Sequence, residues 1–157
     1  MSTSGMVDHF DRYVEGWNDH DPEAVMAAFA PGGTVNAPPF DSPLSGQEIG
    51  EWVADTVAGF PDVRFEDHEF LTTDREGVYV LEWTLHGTHR GTFNGLPPTG
   101  RTVALDGVDV FAIAEAGIES IEIYFDQSSM ADQLGLTFPA IVGQLPKLAW
   151  GKIRSNG

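Results

Sequence analysis

The spacing of apolar residues changes along this chain near Pro61, and that change limits what it can fold into. Before Pro61 the apolar residues recur about every 3.6 positions, the period of a helix, and after it they alternate, the period of a strand. Met6 to Asn18 places Val7, Phe10, Tyr13, Val14 and Trp17 on one helical face. Asp21 caps a second helix with Pro22 at its first position. That helix runs through Ala24 to Phe29 and stops at Pro31-Gly32-Gly33. A short strand, Thr34 to Ala37, and a loop, Pro38 to Pro43, lead to Ser45-Gly46-Gln47-Glu48, which reads as a capping box. The helix it opens carries Ile49, Trp52, Val53, Thr56 and Val57 as a stripe. Beyond Pro61, Val63 to Thr73, Val78 to His89, Thr102 to Ala114 and Ile118 to Phe125 read as strands. Asp126 to Leu134 is a short helix capped by Asp126 or Ser128. Helices first and an antiparallel meander second give an α+β domain with helices on one face of the sheet.

At 157 residues the chain is expected to be one domain with a sizeable core. It has no cysteine, which excludes disulfides, thiolate nucleophiles and cysteine-based metal sites. Its 24 acidic residues stand against 8 basic ones, for a net charge of −16. Nucleic acid is therefore not an expected partner, because phosphate recognition needs clustered Lys and Arg. No apolar run is long enough to span a bilayer, and the N-terminus carries no basic region followed by an apolar stretch, so a cytoplasmic protein is expected. Acid-rich, lysine-poor surfaces resemble those of salt-loving organisms, whose ionic strength screens such repulsion. Every acid lies at or before Asp132, whereas the segment from Thr137 carries Lys147, Lys152 and Arg154 among apolar residues. This tail, 137–157, is expected to dock on the acidic body or on a second subunit.

Alternation separates the two faces of each strand. Tyr79, Leu81, Trp83, Leu85, Gly87 and His89 form the buried row of one strand, and Glu82, Thr84 and His86 fall in its polar row. In the next strand Val103, Leu105, Gly107, Asp109, Phe111 and Ile113 form the apolar row, and Asp109 is the lone acid in it. A carboxyl there is desolvated and its pKa raised, which suits a general acid or base near neutrality. His86 and His89, three apart, point to opposite faces and make a poor metal pair.

Three passages carry a resemblance to a known family. They are Trp17 to Glu23 leading to Phe29, Trp83 to Gly100, and Asp109-Val110-Phe111 through Gly117-Ile118 to Tyr124-Phe125-Asp126 and Gln133-Leu134-Gly135. Together they resemble the SnoaL-like polyketide cyclases of the nuclear-transport-factor-2-like superfamily, over roughly residues 6–136. The resemblance implies a cone, a curved sheet wrapped on helices and open at one end, and a homodimer. It implies aldol-type ring closure on a hydrophobic carbonyl-bearing small molecule with no metal or cofactor. It places the acidic group at the end of the last strand, which is Asp126 here. The family's histidine partner has no match between Asp109 and Ala112, which leaves His86 and His89 as candidates. Its pocket walls fall at Trp17, Phe29, Trp83 and Tyr124.

Residue physics and resemblance point to different carboxylates. A three-residue turn at Glu115-Ala116-Gly117 sets Phe111 opposite Ile121 and Asp109 opposite Ile123. Asp126 then falls on the other face from Asp109, and a shift of one residue would bring them together. Arg64, Arg90 and Arg101 are not clearly inward, so an Asp-Arg-Asp arrangement for epoxide opening is not expected. A non-catalytic binding module of the same fold is the competing reading.

Overall fold

In the computed structural model, which describes residues 3–66, 69–137 and 140–155, the first helix, α1 (Thr3–Asn18), buries Phe10, Tyr13 and Trp17 of the expected stripe together with Met6, while Val7 and Val14 are half-buried. Helix α2 (Pro22–Ala27) starts on the Asp21 side chain, which accepts from the amides of Glu23 and Ala24 at 3.1 Å. It ends earlier than its sequence implies. Strand β1 (Phe29–Asn36) begins at once and runs through Pro31-Gly32-Gly33. The glycines serve a bulge in this strand: the register shifts between Phe29 and Thr34. Gly32 takes φ +76°, and a Cβ on Gly33 would lie 2.5 Å from the Ile118 carbonyl oxygen.

Strand β2 (Leu44–Ser45) precedes α3 (Gln47–Gly59). Only half of the capping box forms: Glu48 Oε1 accepts from the Ser45 amide at 3.4 Å, while the N-cap, Gly46, has no side chain to offer. The strand expected over Val63 to Thr73 is two short ones, β3 (Arg64–Glu66) and β4 (Phe70–Thr72). Asp67 and His68 of that stretch, and Phe138 and Pro139 of the tail, lie outside the described residues. The long strands β5 (Val78–Thr88), β6 (Thr102–Ala114) and β7 (Gly117–Phe125) follow, then α4 (Gln127–Gln133) and α5 (Ala140–Ser155).

The sheet runs β2-β1-β7-β6-β5-β3, with β4 also paired to β5. All pairs are antiparallel except β1 with β7, so the sheet is mixed. Phe111 faces Ile121 and Asp109 faces Ile123, as alternation and turn length imply. At the turn itself the register slips by one, pairing Ile113 with Ile118 and Ala114 with Gly117. The α+β class and the curved sheet against helices are as expected. Helix stripes Phe10–Tyr13–Trp17 and Ile49–Val53 join Tyr79, Leu81, Trp83, Phe111, Ile121 and Ile123 in one core. A second core gathers Phe60, Val63, Val103 and Leu134 beneath the loop after β5. Among the described residues no helix is long and apolar enough to cross a membrane. In α5 Gln144 is buried, while Val142 and Leu145 stand more than half exposed.

Candidate active site

The concave side of the sheet does not close on its helices. It leaves a cavity of about 340 Å³ walled by α1, α3, the loop after β5, and the ends of β7 and α4. A smaller chamber of about 310 Å³ lies beside it, between α1 and strands β3 and β5. Tyr13, Trp17, Phe65, Trp83 and Asp109 line both. Asp109 therefore stands where the two chambers meet, and in the larger one it is the only carboxylate among the described lining residues.

Asp109 reaches this place through cross-strand geometry. It pairs with Leu81, and Trp83 pairs with Gly107, so Trp83 and Asp109 are diagonal neighbours on one face. The Trp83 indole lies over Gly107, where a Cβ would sit 2.1 Å from its Cζ2. The absence of a side chain at Gly107 lets the indole N–H donate to Asp109 Oδ1 at 2.8 Å. Among the described residues no other group donates to this carboxyl, so Oδ2 is left for whatever fills the cavity. Burial pushes the Asp109 pKa up to about 7, and the Trp83 hydrogen bond opposes that only in part. Tyr13, on α1, is buried too. Its phenol is held well above its usual pKa, first by burial and then by the charge of Asp109, and so keeps its proton.

The other candidates fall elsewhere. Asp126 is exposed on the opposite face, because Gly107 pairs with Phe125, which lines the cavity, and alternation turns the next residue to the other side. Its Oδ1 accepts from the amides of Ser128 and Ser129 at 2.9 and 3.1 Å and caps α4. Tyr124 is 60% exposed on that outer face. Both border a shallow outer groove with Glu82 and Asp106. His86 also faces outward, with Nε2 3.1 Å from Glu66. His89 lies in the buried row but does not line the cavity. It stacks on Phe60, with ring centroids 5.2 Å apart, and its Nδ1 accepts from the Thr99 amide at 3.2 Å. Burial lowers its pKa. Phe29 packs edge-on against Tyr13, with centroids 6.0 Å apart, and lines neither chamber. Of the four expected wall residues, Trp17 and Trp83 face the chambers, and Phe29 and Tyr124 do not.

Sequence reasoning also leaves site residues unnamed. Tyr13 belongs to an apolar stripe, and its hydroxyl on that stripe is the signal that marks it. Phe60 and Phe93 come from irregular segments, where period carries no information, and Phe65 from β3, a strand of three residues that is too short to show one. Among the described residues no group of three or more His, Asp or Glu side chains is placed to hold a metal ion.

The sequence profile of the SnoaL-like polyketide cyclases matches residues 7–134. No curated protein matches in sequence. Many solved structures share the fold. A protein from Jannaschia sp. CCS1 described as a SnoaL-like polyketide cyclase superposes with a TM-score of 0.74 at 17% identity, covering 85% of this chain and 95% of its own. AclR from Streptomyces galilaeus, described as a hydroxylase, gives 0.73 at 20%, covering 87% and 99%. A protein with a ketosteroid isomerase-like fold from Catenulispora acidiphila gives 0.68 at 21%, covering 85% and 95%.

Proposed function

The chain belongs to the SnoaL-like polyketide cyclase family, and from that premise we propose that it moves a proton next to the carbonyl of a hydrophobic small molecule, with Asp109 as the acid–base group. One observation carries this reading: a buried carboxyl that borders an apolar cavity, with one oxygen held by Trp83 and, among the described residues, no donor to the other. A base needs to be ionised near neutral pH without being so stable that it no longer takes a proton, and a pKa near 7 meets that condition. Asp109 would abstract the proton α to the carbonyl and return it at the end of the reaction. The charge that develops on the carbonyl oxygen needs a donor, and the Tyr13 phenol, kept protonated and close to Asp109, is the group that supplies one. Aldol ring closure, isomerisation and dehydration all use these two roles. Trp17, Phe65, Phe93 and Leu105 provide a wall that excludes water and orients an apolar body.

The test is hydrogen exchange at the α-carbon of a panel of cyclic and polyketide-like ketones in D₂O. Asp109→Asn keeps the acceptor for the Trp83 indole and removes the base. It is expected to lose at least about 100-fold in exchange rate. Exchange by the wild type should rise with pH and level off above about 7, because the base acts only when ionised. Equal rates for the variant would end the assignment. The nearly all-apolar lining also favours a second reading, a binding module without chemistry. In that case ligands bind and no exchange occurs in either protein.

A further inference from the structure

The smaller chamber contains a second kind of chemistry. Phe10, Tyr13, Trp17, Phe65 and Trp83 line it, together with Val14, Leu81 and Asp109. The rings stand nearly perpendicular in sequence: Trp17 to Phe65 at 70° with centroids 5.5 Å apart, and Phe65 to Trp83 at 83° with centroids 5.5 Å apart. These aromatic side chains border one space from several sides, and a ring face turned toward it would attract a cation through its quadrupole. Asp109, which has one oxygen that Trp83 does not hold, borders the same space.

The charges on this wall are of one sign. Glu66 stands at the rim, but it is already engaged by Arg64 at 2.9 Å and by His86 at 3.1 Å. Among the described residues Asp109 is thus the carboxylate of this lining left without a charged partner. Among the described residues no Lys, Arg or His lines either chamber. A buried carboxylate with no cation of its own is costly, and a ligand that brought a positive charge would relieve that cost. An anionic ligand would meet Asp109 with nothing to offset it.

We propose that the chamber bounded by Trp17, Phe65, Trp83 and Asp109 is a binding site for an alkylammonium group, the charged end of an amine-bearing small molecule. An ammonium centre with methyl or methylene substituents suits this wall better than a bare inorganic cation. Its carbons pack on the rings while its charge faces Oδ2 of Asp109. The site holds whether or not Asp109 transfers protons, because it requires only the ionised carboxylate and the rings.

Binding can be read from tryptophan fluorescence, since Trp17 and Trp83 form the walls. The probes are choline and dimethylbutanol, its uncharged isostere in which carbon replaces the nitrogen, with added salt to suppress attraction by the acidic surface. The wild type is expected to bind choline about tenfold or more tightly than the isostere. Asp109→Asn should remove most of that preference and leave the isostere within about twofold. In the unmodified protein choline affinity should rise with pH through about 7 as Asp109 ionises, which tests the site without any substitution. Equal binding of the two probes, no saturable binding of choline, or an undiminished preference in Asp109→Asn would each overturn the proposal. Loss of α-hydrogen exchange alone would not, since that measures proton transfer and not recognition.

Discussion

In the folded chain the Asp109 carboxyl keeps its proton up to about pH 7, whereas in the unfolded chain it gives the proton up near 3.8. Between those values the unfolded state releases a proton that the folded state retains, so raising the pH favours unfolding; above about 7 both states are ionised and the cost is constant. The native carboxyl therefore works against stability at neutral pH. Asp109→Asn removes this dependence. The melting temperature of the variant relative to wild type should climb from about pH 4 to about pH 7 and then level off. A difference independent of pH would mean that the carboxyl is solvated. A residue that costs stability in this way belongs with function more readily than with structure. Asp109 is legible in the sequence because alternation puts one acid in an otherwise apolar row. Its hydrogen bond is not legible. That contact depends on Trp83 crossing Gly107, and strand pairing decides it, not local spacing.

At the scale of elements, Asp126 shows how a resemblance and a period can be separated. It ends the last long strand, where the family's acid is expected, yet the pairing of Gly107 with Phe125 turns it to the outer face. There it serves α4 through two backbone amides. Asp126→Ala should cost about 1 kcal/mol in urea denaturation, and Asp126→Asn should recover most of it, because either side chain can accept from those amides. A loss of α-hydrogen exchange in Asp126→Asn, with stability intact, would instead restore it as the acid–base group. The long strands and helix stripes are legible because their periods extend over many residues. The glycines at 32 and 33 mislead because the same residues that end a helix also permit a bulge. Only the parallel pairing with β7 decides between the two.

For the whole molecule, a charge of −16 on 157 residues sets the conditions under which it is stable. Repulsion among the acids weakens the compact state at low ionic strength, and salt screens it. The melting temperature should rise between low salt and about 1 M KCl, and a flat or falling curve would sink the salt-adapted reading. The fold also has an order of assembly built into it. The first strand finds its parallel neighbour only in the last, and Asn36 reaches Glu122 across 86 residues of sequence. A chain leaving the ribosome must carry β1 without that neighbour until β7 has been made. Until then the cavity lacks the wall that Ile123 and Phe125 supply. Any product of interrupted synthesis that stops short of β7 would carry the residues that line the smaller chamber but not the far wall of the larger one.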